Sequence, residues 1–204
     1  MGNNEKTRLW DRLSPFYGAF IRRHSAGTYD AAADRIRARI RPEMSVLELA
    51  CGTGQMTYLL CGSAAIWEAT DISPVMIARA ERIPHSEHVR FSVQDAESLP
   101  YEHASFDAVV VSNALDVFEH PSIALREIRR VLVPGGLFFS ATHVLGGRRT
   151  DDRDRLVRLA KYRPHHTWTA PQLEELIRSH GFTVETAVLL PNELAPLCYL
   201  EAKR

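Results

Sequence analysis

Short apolar runs ending in glycine or an acid alternate along the chain with stretches whose apolar residues return at helical spacing. The runs at 45–49, 65–70, 89–93, 105–113 and 137–142 are too short for helices, and Val109, Val110 and Val111 are too continuous for a strand with one wet face. They are predicted to be parallel strands buried on both sides. Helices are predicted at 55–61, 75–82 and 121–133, the last turning Ile123, Leu125, Ile128, Val131 and Leu132 toward the sheet and stopping at Pro134-Gly135-Gly136. Upstream, 7–41 reads as two helical pieces divided near Ser14-Pro15 and Gly27-Thr28. In the second piece Tyr29, Ala33, Ile36 and Ile40 share a face, while Arg35, Arg37, Arg39 and Arg41 form a solvated one. Downstream, a charged helix is predicted at 151–162. A further helix, capped by Thr169, carries Pro171 in its first turn and closes at Gly181. The segments 182–190 and 197–202 then form an antiparallel hairpin. This alternation predicts one α/β domain over 1–204, with seven strands, mostly parallel, and helices on both faces.

The stretch Ser45 to Thr57 carries the chemistry. A strand ends at Glu48-Leu49 and breaks into Ala50-Cys51-Gly52-Thr53-Gly54 before a helix. Gly52 and Gly54 open backbone angles closed to other residues, let a ligand approach the main chain, and place free helix-start N–H groups beside it. A dinucleotide fingerprint wants a third glycine at position 57, where this chain has Thr57. Pyrophosphate is therefore disfavoured. Glu48 suits a cationic ligand instead, and S-adenosylmethionine, with its ammonium and sulfonium, is one. Asp71, closing the next strand, is placed to accept from both ribose hydroxyls, with Ile72 beside the adenine, because Ser73-Pro74 already starts the following helix.

Leu47-Glu48-Leu49-Ala50-Cys51-Gly52-Thr53-Gly54 resembles the first motif of the class I S-adenosylmethionine-dependent methyltransferases, and three later segments follow in the family's order over about 44–140. The flanks resemble the small-molecule branch that includes quinone-biosynthesis methyltransferases. The resemblance implies a Rossmann-like sheet, S-adenosylmethionine as cofactor and S-adenosylhomocysteine as product. It divides the chain into a helical amino-terminal lid at 1–43, a cofactor core at 44–142, an acceptor-side insert at 143–167 and a closing helix and hairpin at 168–204. Trp10 to Tyr17 resembles the lid, which makes Tyr17 a cofactor residue. Asp95 and Ala96 match the adenine-binding position, and Met76 joins the cofactor set. Asn113 and Ala114 are expected against the methionine half. Asp107 resembles the second-motif acid but begins its strand, so a structural role is expected. Where the family pattern carries histidine, this chain has Leu115-Asp116-Val117-Phe118-Glu119-His120. Asp116 is either a base or sulfonium neighbour, or a helix cap. His143, at a strand end, is the other candidate base, against a structural hydrogen bond.

Composition narrows the alternatives. Lys+Arg and Asp+Glu both number 25, so no bulk field draws the chain to nucleic acid, and the Asn/Asp-Pro-Pro-aromatic signature for base amino groups is absent at Ser112-Asn113-Ala114-Leu115. Arg148, Arg149, His165 and His166 are read as a solvated loop over a phosphate contact. Cys51, Cys61 and Cys198 lack metal spacing, no metal is expected, and a reduced, cytoplasmic setting follows. Neither a secretory leader nor a membrane span is expected. A small-molecule acceptor is the expected partner, peripheral membrane contact stays open, and the chain is expected as monomer or homodimer. Two rivals remain: a non-catalytic S-adenosylmethionine-binding protein, and a nicotinamide-dependent reductase, which Thr57 disfavours.

Overall fold

The computed structural model describes residues 27–145, 164–191 and 196–204. Seven strands make one sheet: β1 (Ser45–Leu49), β2 (Ile66–Asp71), β3 (Val89–Val93), β4 (Phe106–Ser112), β5 (Leu132–His143), β6 (Thr183–Leu190) and β7 (Leu197–Lys203). Their order is β3-β2-β1-β4-β5-β7-β6. From β3 to β5 all neighbours are parallel, and β7 runs antiparallel to both β5 and β6. The chain winds outward from β1 through β2 to β3, then returns to lay β4 on β1's other side. That reversal opens a crevice between the carboxyl ends of β1 and β4, where open α/β sheets take their ligands.

Two apolar layers sandwich the sheet. Helical residues 27–37 (α1), α2 (Gln55–Leu60) and α3 (Pro74–Ala80) cover one face through Ala32, Ile36, Met56, Leu60 and Ile77. On the other face α4 (Pro121–Val131) and α5 (Ala170–Ser179) press Leu125, Ile128, Leu173 and Ile177 inward. The valine run of β4 serves both layers, Val110 facing the first and Val109 and Val111 the second.

Local signals place the ends of these elements. The Ser73 hydroxyl accepts the Met76 N–H at 3.1 Å and Pro74 starts α3. Thr169 and Gln172 cap α5 reciprocally, and Gly181 ends it at φ +82°. As expected, Asp107 is structural: its Oδ2 accepts the Ser45 N–H at 2.8 Å, tying the starts of β4 and β1.

Two expectations change. Helix α4 stops at Val131, and Pro134-Gly135-Gly136 lies within β5 as a bulge, where the pairing steps from Phe106–Leu132 to Ala108–Leu137. A Cβ on Gly136 would sit 2.9 Å from the Val133 carbonyl oxygen and 3.1 Å from that of Asp107, so close backbone approach demands this glycine. The arginine face is also more than solvated. Arg39 donates to Glu201 at 3.0 Å and Glu185 at 2.9 Å, and Arg35 lies 5.8 Å from the Tyr199 ring centre, pinning the end of α1 to β6 and β7. The expected helix at 151–162 lies outside the described residues, as do Tyr17, Arg148 and Arg149.

Replacing Asp107 with Ala strands the Ser45 N–H. We expect a loss of about 1–2 kcal/mol, read as a lower urea midpoint at unchanged slope.

Candidate functional site

The candidate site is built from turns that leave the carboxyl ends of consecutive strands. After β1 the chain passes through three left-handed residues, Ala50 (φ +54°), Gly52 (φ +58°) and Gly54 (φ +84°). Two are glycines, which adopt these angles freely, whereas Ala50 does so at a cost of about 1–2 kcal/mol. Helix α2 has six residues, so the bare main chain of the turn and its acidic surroundings define the site more than a helix dipole does.

Asp71 holds this turn. Its Oδ2 accepts the Gly52 N–H at 2.9 Å and its Oδ1 the Ser73 N–H at 2.9 Å, while its carbonyl accepts the Gln94 N–H at 3.1 Å. One residue thus ties together the ends of β1, β2 and β3. Beyond β3, the Asp95 Oδ1 accepts the Glu97 N–H at 2.9 Å, which shapes the turn that holds Ala96. Ile72 and Ala96 are half-buried on the same edge, and Met76 is buried in the first turn of α3.

Glu48 lies lower than expected. It is 1% exposed within β1, and its Oε2 accepts the Thr57 hydroxyl at 2.7 Å and the Trp67 indole N–H at 2.8 Å. Burial pushes its carboxyl up to about 7, the two donors pull it back, and the charge of Asp71 adds to the rise. Thr57, noted above only for the glycine it displaces, therefore carries the hydroxyl that a buried acid needs. The inward position of Glu48 in a doubly buried strand was the available signal for these partners. Cys51, beside it, is buried with its thiol pushed up by desolvation, which keeps it protonated and inert.

Across the crevice, Asn113 takes a left-handed angle (φ +54°) and its N–H donates to the Ala141 carbonyl at 2.6 Å. Ala114 and Asp116 follow, both buried, with Asp116 in a short turn at Leu115–Val117. His143 ends β5 one strand away. The segment at 164–168 packs on this wall: the His166 N–H donates to the Asp116 carbonyl at 3.0 Å, its Nε2 lies 3.2 Å from the Glu119 carbonyl oxygen, and its ring stacks on Trp168. A second tether joins the turn after β3 to the same wall, the His120 N–H donating to Glu97 at 2.9 Å. Neither tether was legible in the sequence, because both join residues far apart along the chain.

All the expected site residues other than Tyr17, which is outside the described residues, gather around this carboxyl edge or directly beneath it. A glycine turn with a bare main chain, bordered by acids and lacking the third glycine, fits a cationic adenosine ligand better than a pyrophosphate.

Comparison with known proteins agrees with this architecture. The methyltransferase domain family matches residues 47–140. A ubiquinone/menaquinone biosynthesis C-methyltransferase of Burkholderia vietnamiensis is 35% identical over 120 residues, covering 55% of this chain and 49% of that protein. The chain thus spans about half the length of the curated relatives it matches. Among solved structures, the [4+2]-cyclase SpnF aligns with a TM-score of 0.72 at 23% identity, covering 86% of this chain and 80% of that one. An S-adenosylmethionine-dependent methyltransferase from Mesorhizobium loti aligns at 0.69 and 22% identity, covering 86% of this chain and 100% of its own. These structural likenesses establish the fold.

Two stability measurements probe the site. A Cβ on Gly54 would lie 2.6 Å from the Tyr58 ring, whose hydroxyl donates to the Ala80 carbonyl, and the backbone angle adds strain. Gly54→Ala is expected to lose about 1–3 kcal/mol, part of it recovered in a Tyr58→Ala background. Glu48 gives a pH signature. Its carboxyl rises from an ordinary 4.5 to about 7 on folding, so its contribution is complete below pH 4.5 and disappears as pH rises through 7. Glu48→Gln keeps an acceptor without the charge. In urea titrations it should gain on the wild type by about 2–3 kcal/mol between pH 5 and pH 8; a constant difference would contradict this.

Proposed function

We propose that this chain, whose residues 47–140 belong to the methyltransferase domain family and whose sheet has the class I fold, transfers a methyl group from S-adenosylmethionine to a small-molecule acceptor. The observation that carries this reading is the shared edge: the turn at Gly52 and Gly54, Asp71, Asp95 and Asn113 leave four strands around one switch point. In this reading Asp71 takes the ribose hydroxyls. Asp95 takes the adenine amino group, with the Ala96 N–H on a ring nitrogen and Ile72 beside the ring. The turn after β1 and Asn113-Ala114 hold the methionine half, and Tyr17 and Met76 complete the set.

When bound, the sulfonium supplies an already activated methyl group. The protein's task is then to hold the acceptor's nucleophile in line, about 3–3.5 Å from the methyl carbon, and to keep water out. Asp116 and His143, at the ends of β4 and β5, are our nominees for a base where the acceptor carries a proton to be lost. Residues 143–167 are assigned to the acceptor side. A quinone-type or similar small acceptor is favoured, supported by the Burkholderia relative's role in quinone C-methylation.

We place the protein in the cytoplasm. Among the described residues no helix is long and apolar enough to cross a membrane, and the three cysteines are free thiols. Peripheral lipid contact gains little support from the described arginines, since Arg37, Arg39 and Arg41 are each engaged by an acid.

Calorimetry with S-adenosylmethionine and with NAD, followed by assay for S-adenosylhomocysteine on adding a metabolite pool, tests the reading. We expect binding of the first ligand alone and acceptor-dependent product. Asp116→Asn and His143→Ala should then lower turnover about a hundredfold while cofactor affinity stays within twofold. Binding without any product would favour the non-catalytic alternative.

A further inference from the structure

The connection from β3 to β4, residues 94–105, contains none of the named helices or strands, yet α4 holds its main chain at several points. Its first turn is local: the Asp95 Oδ1 accepts the Glu97 N–H at 2.9 Å and the Asp95 carbonyl accepts the Ser98 N–H at 3.0 Å. Beyond that turn the partners lie on the helix. The Leu99 N–H donates to the Glu127 Oε2 at 2.9 Å, and the Leu99 carbonyl accepts from the Arg130 Nη2 at 3.1 Å. The Arg130 Nη1 donates to the Tyr101 carbonyl at 2.7 Å. Glu127 and Arg130 are themselves joined as a fork, Nε to Oε1 and Nη2 to Oε2, both at 2.7 Å. Such a pair is planar and fixes direction as well as distance. Helix α4 is seated on the sheet by its buried apolar row, Leu125, Ile128 and Val131. The fork has a different task, satisfying main-chain groups that no sheet ladder reaches.

We propose that the Glu127–Arg130 fork on α4 sets the direction of the turn carrying Asp95 and Ala96, and that selectivity for adenine over hypoxanthine depends on it. This deepens the methyltransferase reading and rests on it. In that reading the adenine amino group goes to Asp95 and a ring nitrogen to the Ala96 N–H. The turn already uses the Asp95 Oδ1, so recognition falls to Oδ2 and to that one N–H. Adenine offers an amino donor beside an acceptor nitrogen, whereas hypoxanthine offers a carbonyl beside an N–H, the reverse pattern. A turn held in one direction distinguishes the two; a turn free to shift can pair with either. Leu99 anchors the chain that leaves this turn, its side chain 7% exposed and both its main-chain groups ending on the fork. The other end of α4 meets the same turn, where the His120 N–H donates to Glu97. Glu127 and Arg130 are positioning residues, acting through Leu99 and Tyr101.

The test is calorimetry on the intact protein with two probes, S-adenosylhomocysteine and its hypoxanthine analogue S-inosylhomocysteine. The wild type should prefer the adenine probe by about thirtyfold, since a site built to pair with one donor pattern rejects the reverse. Glu127→Gln keeps an acceptor for the Leu99 N–H but dissolves the charged fork, and Arg130→Lys keeps the charge but not the planar reach to two carbonyls and a carboxylate. Each should weaken the adenine probe about tenfold while the hypoxanthine probe stays within about threefold, so the preference shrinks. Asp107→Ala, at the opposite end of the sheet, is the control: it lowers stability and should leave the preference within about twofold, which separates positioning from a general loss of structure. Hydrogen exchange of the Leu99 amide in the ligand-free wild type reads the clamp without any variant and covers the case in which one fails to fold; protection of about a hundredfold or more is expected. Parallel loss of both probes in the two variants, no loss of either, equal wild-type affinity for the two, or an unprotected Leu99 amide would each overturn the proposal and leave the methyltransferase reading intact. Binding of neither probe by the wild type would overturn that reading, and the proposal with it.

Discussion

The bond pair on Asp71 is the constraint on which the ligand edge depends. A strand can end at any of several residues, but here one carboxylate receives the main chain of the turn after β1 and of the turn after β2, and its own carbonyl receives the chain leaving β3. Three strand ends are thereby held in one relation. The neighbouring acid, Glu48, does the same one layer down, joining β1 to β2 through Trp67 and to α2 through Thr57. Two acids share this tight space because each accepts hydrogen bonds, the Gly52 and Ser73 N–H groups on Asp71 and Thr57 and Trp67 on one oxygen of Glu48, and because burial raises the Glu48 carboxyl.

Much of the architecture was legible because it depends on local chemistry. The valines at 109–111 reported burial on both faces, Ser73-Pro74 and Thr169 reported helix starts, and Asp107 reported its structural place by lying at the wrong end of its strand. What stayed hidden depends on contacts across the sheet. The partners of Glu48 lie 9 and 19 positions away, and those of Arg39 146 and 162 positions away. Hydrophobic periodicity carries no information about such pairings. The Pro134-Gly135-Gly136 segment was half legible: its break in helical spacing was plain, but its bulge exists because Gly136 passes within contact of the Asp107 carbonyl on the neighbouring strand.

Fold and chemistry separate cleanly in this molecule. The same sheet aligns with a methyltransferase and with a [4+2]-cyclase, so the strand order alone does not choose a reaction. The choice lies in the side chains at the edge. The segment after β4 is fastened at two points, by the His120 N–H to Glu97 in the turn after β3 and by the Asp116 carbonyl to the His166 N–H. A ligand on one side of the crevice therefore sits on the same scaffold as a ligand on the other.

The position of β7 has a consequence for how the protein is made. It lies between β5 and β6, although the chain reaches it after both. While the chain folds, β6 has no strand to pair with until β7 is in place, and β5 keeps an open edge until that same strand inserts. That interval exposes an unpaired row of backbone groups beside apolar side chains, the situation in which nascent chains recruit chaperones or mispair with one another.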